Sequence, residues 1–315
     1  TKGFFFIPSP PFAAQSGRIG AGNDYLLLLL QFLLGKNHVI AMENPGYFHG
    51  YRILSRLFEG VEAVGADQYG MKVEELEASG AQIAYVMPSH QYPLGTVMPI
   101  KRRLELLGWA YEKQGRYIIE DDYDSEFRYK GKPIPALQGN DRQGKVIYLG
   151  TFSKSIAPSI RVSYLILPKE LLKIYEEKGR ALSSTVSRMD QMIINEFITG
   201  GYMERHLNKM RGIYKMKHDI LMNALKVFPK SCRIKGENAG VHLLLELPKD
   251  MDEEWFVKAA EEKGVHIQGV RQHCFGFCKD APAPSLILGY AILKEEDMTD
   301  GVNILYELYR TRNGN

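Results

Sequence analysis

The sequence predicts an α/β fold, in which a mostly parallel β-sheet forms a large unit and a smaller α+β unit follows it. Two observations support this class. Short, almost continuously apolar runs alternate with helical patterns through the first half of the chain, which is typical of parallel strands covered by helices on both faces. A long helical stretch from 169 to about 227 then interrupts the alternation, and further strand patterns follow it.

The predicted strands of the large unit are short and rich in apolar residues. They lie at 39–42, 61–64, 83–87, 117–119, 146–149 and 162–167. The leucine-rich segment 25–34 predicts a buried helix, and it is too short to span a bilayer. The segment 100–113 predicts an amphipathic helix that begins directly after Pro99.

The smaller unit is predicted from strand patterns at 240–247 and 286–293 and a helical pattern at 253–263. We place the boundary inside the long helical stretch, which divides the chain into an N-terminal arm, a large domain and a small domain. These are 1–19, 20–195 and 196–315. The first 18 residues show no clear element, so we expect that an upstream part of the protein is absent from this chain.

Composition excludes several classes of function. The chain has 315 residues, with 40 Lys and Arg against 37 Asp and Glu, and a formal net charge of +3. With no helix-turn-helix pattern, this balance indicates that the chain does not itself bind nucleic acid. The sparse cysteines, Cys232, Cys274 and Cys278, argue against a disulfide framework and do not form a zinc pattern. No signal peptide is recognisable, so we expect a cytoplasmic protein.

Polar segments follow several of the predicted strands. Glu-Asp-Asp-Tyr at 120–123 follows one strand, Gly-Thr-Phe-Ser-Lys at 150–154 follows another, and Pro-Ser-His-Gln at 88–91 follows a third. Gly-Ala-Gly-Asn at 20–23 precedes the leucine-rich helix. Ligands of open parallel sheets bind at the carboxyl ends of the strands, so we expect these segments to assemble one site.

Lys154 is the main candidate for covalent chemistry. It lies between hydroxyl residues directly after a strand, which suits a partly desolvated lysine that forms a Schiff base. Arg161 follows across Pro158 and is placed to neutralise a phosphate beside Thr151 and Ser153. An isolated lysine is usually a surface residue, but this spacing favours the functional interpretation.

Other segments supply complementary groups. Gly20 and Gly22 precede a helix, where backbone N–H groups and the helix dipole favour phosphate, although such turns are common. Asp121 and Tyr123 are two residues apart and point to the same side of an extended segment. A carboxylate there can keep a ring nitrogen protonated, and a phenol can donate to an oxyanion. The neighbouring acids are expected to form a solvated acidic loop: Glu120, Asp122 and Asp124.

These motifs resemble a known family. The segment 150–161, Gly-Thr-Phe followed by Ser-Lys-x-x-x-Pro-x-x-Arg, resembles the pyridoxal phosphate lysine loop of fold type I aminotransferases. The segments 43–47, 88–95 and 118–127 narrow the resemblance to the MocR/GabR family of bacterial transcription regulators. In that family a winged helix-turn-helix domain is joined to an aminotransferase-like domain. The similarity runs from about Gly20 to the C-terminal end, and its separated segments match in order.

The resemblance implies a fold type I aminotransferase-like fold, pyridoxal 5'-phosphate as cofactor and a homodimer. Lys154 matches the internal-aldimine lysine, Asp121 the partner of the pyridine nitrogen, and Tyr123 the donor to the ring oxygen. A protonated pyridine ring makes the cofactor an electron sink. Further cofactor-binding positions are implied for the phosphate ligands Thr151, Ser153 and Arg161, the phosphate loop residues Gly22 and Asn23, and the aromatic Tyr47.

Departures from the family pattern concern both the cofactor ring and the effector. Tyr92 stands where many aminotransferases have an asparagine that contacts the ring oxygen. His49 stands where the GABA-responsive member has a carboxylate-binding arginine. A second such arginine would fall at Arg271 or Gln272. Of the two, Arg271 is the better partner for a carboxylate, but a solvated charge on a loop is an equally good interpretation of it. An effector other than GABA is therefore expected, such as an amino acid or a small peptide.

The sequence thus predicts the effector-binding and dimerising domain of a pyridoxal phosphate-dependent regulator. A small amino compound would exchange with Lys154 in the aldimine, and domain closure would transmit the change. DNA would be bound only through a winged helix-turn-helix domain outside this chain, and no membrane is involved. Two alternatives remain: an active aminotransferase, since the core catalytic groups are present, and an interaction domain that has lost the cofactor, which the retained Lys154 and Asp121 weigh against.

Overall fold

The fold contains two sheets. A computed structural model describes residues 17–129, 135–179, 182–276 and 282–312. One sheet has eight strands and the other has four, which confirms a large, mostly parallel unit followed by a smaller one. Residues 1–16 of the predicted arm and Cys278 lie outside the described residues.

The large sheet contains all the strands predicted for it, together with short edge strands that were not predicted. Its strands are β1 Gly17–Gly20, β2 Val39–Asn44, β3 Gly60–Asp67, β4 Gly70–Met71, β5 Ile83–Val86, β6 Tyr117–Asp122, β7 Val146–Thr151 and β8 Ser163–Ile166. Their order is β1-β8-β7-β6-β5-β2-β3-β4. Strands β3, β2, β5, β6 and β7 are parallel, whereas β8 is antiparallel to β7 and β1 is antiparallel to β8.

Helices cover both faces of this sheet. They are α1 Asn23–Leu34, α2 Phe48–Leu57, α3 Val73–Ala78, α4 Ile100–Glu112, α5 Leu137–Asn140 and α6 Lys169–Lys178. Side chains alternate between the two faces along each strand: Ile40 packs with the core under α1, α2 and α6, and Ala41 with the core under α3 and α4. This two-sided burial explains the continuous apolar strands.

The smaller unit follows two long helices, α7 Arg188–Thr199 and α8 Tyr202–Ala224. Its elements are β9 Arg233–Lys235, β10 His242–Glu246, α9 Glu253–Glu262, β11 Gln268–Gly269, β12 Ser285–Gly289 and α10 Glu295–Arg312. The sheet is antiparallel throughout, in the order β11-β12-β10-β9. The strand predicted at 286–293 ends at Gly289, and the boundary at 195/196 would fall within α7 and stays a prediction.

The two units meet beside the carboxyl ends of β5 and β6. The hydroxyl groups of Tyr129 and Tyr290 both donate to the Gly240 carbonyl, at 2.9 and 2.8 Å. A Cβ on Gly240 would lie 1.9 Å from the His90 ring, so only glycine permits this approach. Within the described ranges, no helix is long and apolar enough to cross a membrane.

Candidate functional site

A cavity of about 590 Å³, called here the central cavity, opens where the strands β5, β6 and β7 end. Parallel strands bring their carboxyl ends to one edge, so segments that are distant in the sequence meet there. The lining residues are Gly22, Asn23, Asp24, Tyr47, Phe48, His49, Met87, Tyr92, Asp121, Tyr123, Thr151, Ser153, Lys154, Arg161, Ser163, Gln268 and His273. Every predicted site residue except Arg271 belongs to this lining.

One part of the central cavity has the groups that bind a phosphate. Helix α1 begins at Asn23, so its free N–H groups and the positive end of its dipole lie there. Gly22 has φ 85°, and a Cβ on it would lie 2.9 Å from an Arg161 guanidinium nitrogen. Thr151 Oγ1 accepts a hydrogen bond of 3.2 Å from Ser153 N. An arginine, two hydroxyl groups and a helix N-terminus therefore line the same cavity, and these are the groups that commonly bind phosphate.

Lys154 lies in the turn between β7 and β8, with its side chain on the cavity wall. Two backbone hydrogen bonds fix this turn: Phe152 N donates to Val162 O at 2.9 Å, and Ile156 N donates to Phe152 O at 2.8 Å. The turn therefore holds the amine at the edge of the sheet, within the same cavity as the phosphate-binding groups.

Asp121 is the buried acid of the cavity wall, with 2% of its surface exposed. The Tyr85 hydroxyl donates to Asp121 Oδ2, whereas Oδ1 has no partner. Burial raises the pKa of Asp121 to about 7, and the Tyr85 hydrogen bond partly offsets this rise. An unpartnered carboxylate oxygen on a cavity wall is available to accept a hydrogen bond from a protonated group of a ligand.

These groups fit pyridoxal phosphate. The orphaned Asp121 oxygen suits the protonated ring nitrogen, Lys154 suits the carbonyl carbon, and the Gly22–Arg161 cradle suits the phosphate. Tyr47, half-buried at the start of α2, lines the wall between them. Among the described residues, no group of three or more His, Cys, Asp or Glu side chains is arranged to hold a metal ion.

Tyr123 is oriented by a buried histidine that the sequence did not single out. The Tyr123 hydroxyl lies 2.9 Å from His90 Nδ1, and Asp124 Oδ2 lies 2.9 Å from the same nitrogen. His90 and Asp124 are both about 1% exposed. A buried carboxylate favours the proton on Nδ1, and this one N–H is then shared between Asp124 and the Tyr123 oxygen, which leaves the Tyr123 hydroxyl proton for another acceptor.

The prediction of a solvated acidic loop is wrong. Glu120 is fully buried and accepts hydrogen bonds of 2.7 Å from the backbone N–H groups of Leu137 and Gln138. Asp122 is 9% exposed and accepts from Tyr148, at 2.6 Å. Because β6 continues to Asp122 in the middle of the sheet, these acids are buried structural acceptors rather than a surface charge cluster.

The two residues predicted to bind the effector lie in different places. His49 lines the cavity, and its Nε2 lies 3.1 Å from Asp24 Oδ1. Arg271 lies in the short turn Val270–His273 with an exposed side chain, and it does not line the cavity.

Six lining residues were not predicted, among them Gln268, His273 and Phe48. Gln268 and His273 come from the smaller unit, and Phe48 from the start of α2. Local patterns gave no signal for the first two, because their position depends on how the smaller unit packs against the sheet. Tyr85 did give a weak signal, since it is a hydroxyl residue in an otherwise apolar strand.

Comparison with known proteins agrees with this geometry. The family model "Aminotransferase class I and II" matches residues 18–303. The HTH-type transcriptional regulator YhdI of Bacillus subtilis (strain 168), itself uncharacterized, is 40% identical over 288 residues, covering 91% of this chain and 61% of that protein. The probable rhizopine catabolism regulatory protein MocR of Rhizobium meliloti is 32% identical over 286 residues, covering 88% of this chain and 56% of that protein.

A solved enzyme structure is also similar. The kynurenine aminotransferase of Pyrococcus horikoshii superposes with a TM-score of 0.82 at 26% sequence identity, covering 94% of this chain and 75% of that one. The chain thus spans about three fifths of the length of the regulators and three quarters of the enzyme.

Proposed function

Because the chain belongs to the class I and II aminotransferase family, we propose that it is the effector-binding and dimerising part of a MocR-type, pyridoxal phosphate-dependent transcription regulator. Its effector would be a small amino compound, and Lys154 would hold the cofactor through the same carbonyl carbon for which that compound's amine would compete. The observation that supports this most directly is the central cavity, which joins Lys154, the unpartnered Asp121 oxygen and the Gly22–Arg161 cradle.

Each residue then has a distinct task. When bound, the cofactor supplies an electrophilic carbon conjugated to an electron-withdrawing ring. Asp121 keeps the ring nitrogen protonated, and Arg161 with Thr151 and Ser153 neutralises and orients the phosphate. Tyr123, held by His90, donates to the ring oxygen.

Signalling would use the junction of the two units. The central cavity is lined by residues of the large sheet and by Gln268 and His273 of the smaller unit, so a bound amine contacts both. A ligand that binds one arrangement of the units more tightly shifts the population toward it. A winged helix-turn-helix domain, in the part of the relatives that this chain does not span, would bind DNA.

A homodimer is also proposed. Exposed apolar side chains on α1 and α7 support it: Leu28 is 50% exposed, Phe32 43% and Met192 70%. Sedimentation equilibrium should give twice the mass of one chain, and the mass of a single chain at micromolar concentration would contradict the proposal.

The test of the sensing function is spectroscopic. The protein loaded with pyridoxal phosphate should show a visible absorption band that amino compounds shift, and Lys154→Ala should lose that band. Lys145→Ala is the matched control, since Lys145 lies before β7 and outside the cavity lining. A band that persists unchanged in Lys154→Ala would refute the assignment of the lysine.

The second candidate is an active aminotransferase, favoured by the similarity to the kynurenine aminotransferase and by the complete set of core groups. The two functions differ in turnover. A sensor binds amines and stalls, whereas an enzyme repeatedly transfers the amino group from a donor to a 2-oxo acid. Sustained formation of a new amino acid, measured by chromatography, would favour the enzyme.

A further inference from the structure

One wall of the central cavity is polar but uncharged. We call it the neutral wall, and it consists of Tyr92, Gln268 and His273. The Tyr92 hydroxyl donates to Gln268 Oε1 at 3.2 Å, and the Tyr92 and His273 rings meet edge to face at 5.0 Å. The Tyr92 ring also lies 6.4 Å from the Tyr123 ring, so the neutral wall adjoins the cofactor-facing groups.

His273 is the central group of this wall. It is 8% exposed, and by hydrogen-bond geometry neither ring nitrogen has a partner; the nearby Gly46 backbone only partly offsets the effect of burial on its pKa. Buried polar groups in folded proteins nearly always have partners, and a group without one on a cavity wall is available to a ligand. A neutral imidazole offers that ligand one donor and one acceptor.

The backbone around His273 is fixed before any ligand binds. Gly46 N donates to His273 O at 3.0 Å. Two residues further on, Phe275 N donates to Asn44 Oδ1 at 3.1 Å, and Asn44 Nδ2 donates back to Phe275 O at 2.8 Å. These bonds attach the segment to the end of β2, so the imidazole is presented to the cavity in a defined position.

The neutral wall has no charge at neutral pH. Burial lowers the pKa of His273, which favours the neutral imidazole, and burial raises the pKa of Tyr92, which keeps the phenol protonated. Among the described lining residues, the Lys and Arg side chains are Lys154 and Arg161, and both have cofactor roles in the proposed function. A carboxylate against this wall would lose its hydration and gain no counter-charge.

Gln268 completes the hydrogen-bonding pattern. Because its Oε1 accepts from Tyr92, its Nε2 donors remain for a ligand carbonyl oxygen. A ligand N–H can at the same time donate to the acceptor nitrogen of His273. An amide is a small uncharged group that has both a carbonyl oxygen and an N–H.

We propose that Tyr92, Gln268 and His273 form the effector subsite for an uncharged amide group that lies next to the reacting amine. The effector class is therefore an amino-acid amide or a peptide rather than a free amino acid. This inference rests on the proposed function, because it takes the amine to be bound at the cofactor.

The experiment compares three ligands on the cofactor-loaded protein by absorbance titration: alanine, alaninamide and alanylalanine. In the wild-type protein, we expect at least one of the two amide-containing ligands to bind tenfold or more tightly than alanine. Tighter binding of alaninamide would indicate that the effector carries a terminal carboxamide, and tighter binding of alanylalanine would indicate that the effector is a peptide. Both results support the subsite.

The amines of the three ligands differ in basicity, and this difference alone changes their dissociation constants. Comparing the amide-to-acid ratio of dissociation constants in a variant with the same ratio in the wild type removes that effect. His273→Phe keeps the ring that packs on Tyr92 and should lower the amide-to-acid preference at least tenfold. Gln268→Leu changes an exposed side chain on β11, so it should fold normally and lower the preference at least threefold. Gln143→Leu is the matched control, exposed and outside the lining, and should leave the ratio unchanged.

The possible results distinguish failure of the amide subsite from failure of the amine-sensing function. If alanine binds best, or if both variants keep the wild-type ratio, the amide subsite is refuted while the amine-sensing function stands. If none of a wider panel of amines shifts the cofactor band, the sensing function is refuted and the subsite with it.

Discussion

Asp121 links the charge of a single carboxyl group to the stability of the whole protein. Its pKa is raised to about 7 by burial, whereas the unfolded chain releases the same proton near pH 4. Between these values the folded state holds the extra proton, so the cofactor-free protein loses stability as the pH rises from about 4 to 7.

Asp121→Asn should therefore stabilise the cofactor-free protein. At pH 8 we expect the free energy of unfolding to rise on the order of 2–4 kcal/mol, and by less at pH 5, where the wild-type carboxyl is already protonated. Urea denaturation at both pH values measures this difference. Asp24→Asn is the control, since that side chain is 47% exposed and should change stability little. A variant less stable than the wild type at pH 8 would contradict the expectation.

The His90–Asp124 pair should control the electronic state of the bound cofactor through Tyr123. Without a carboxylate on Nδ1, His90 no longer directs the Tyr123 hydroxyl proton into the cavity, and the ring oxygen of the cofactor loses a donor. In Asp124→Asn, the midpoint of the pH titration of the cofactor band should therefore rise, by about one pH unit for about 1.4 kcal/mol of lost hydrogen bonding.

Tyr123→Phe removes the hydroxyl itself and therefore sets the upper limit of that shift. The double variant Asp124→Asn/Tyr123→Phe should move the midpoint no further than Tyr123→Phe alone. If Asp124 had only a structural role, Asp124→Asn would lower thermal stability and leave the midpoint of the cofactor titration unchanged. That result would contradict the positioning role proposed for Asp124.

The positions of the site residues were predictable from the sequence where they depended on the end of one strand. Lys154, Asp121 and Thr151 follow or end predicted strands, and parallel strands bring such ends together. Tyr85 and His90 were not assigned, because their contacts depend on which strands are neighbours. The acids around Asp121 were misjudged because a run of charges suggests solvent, whereas the backbone N–H groups of the first two residues of α5 donate to Glu120.

At the scale of elements, the N-terminus of α1 should determine cofactor affinity. Glycines flank this helix on both sides, each with φ 85°, and a Cβ on Gly22 would meet Arg161 whereas one on Gly35 would meet nothing within 4 Å. Substitution of either by alanine should cost about 1–3 kcal/mol of stability, since both backbone conformations are almost exclusive to glycine.

Only Gly22→Ala should weaken pyridoxal phosphate binding, at least tenfold, since it displaces the arginine that neutralises the phosphate. The dissociation constant follows from the cofactor absorbance, with Gly35→Ala as the matched control. Equal affinities in the two variants would mean that the phosphate binds elsewhere.

The elements themselves were mostly predictable, because two-sided burial gives continuous apolar strands. The short strands β1, β4, β9 and β11 were missed, since two to four residues at a sheet edge have no recognisable period. Helix α10 was also missed. It buries Met298, Val302, Leu305 and Leu308 among many charged residues.

At the scale of the whole molecule, Gly240 joins the two units. Gly240 has φ 79°, and an alanine there would force its Cβ into His90. Gly240→Ala should lower the free energy of unfolding by at least about 3 kcal/mol. Gly264 has φ 80° and nothing within 4 Å, so Gly264→Ala should cost only about 1–2 kcal/mol.

Urea unfolding followed by both far-UV circular dichroism and tryptophan fluorescence measures this difference. Similar losses in the two variants would show that the junction at Gly240 contributes no stability of its own. The packing of one unit against the other was not predictable from sequence, because it depends on contacts such as Tyr129 with Gly240 that join segments 111 residues apart.

The central cavity is lined by residues that are far apart in the sequence, from Gly22 to His273. During synthesis on the ribosome, the central cavity is therefore incomplete until the codon for His273 has been translated and that residue has left the exit tunnel. Products that terminate before that codon would lack part of the wall on which the proposed effector subsite depends, even where Lys154 and Asp121 are present.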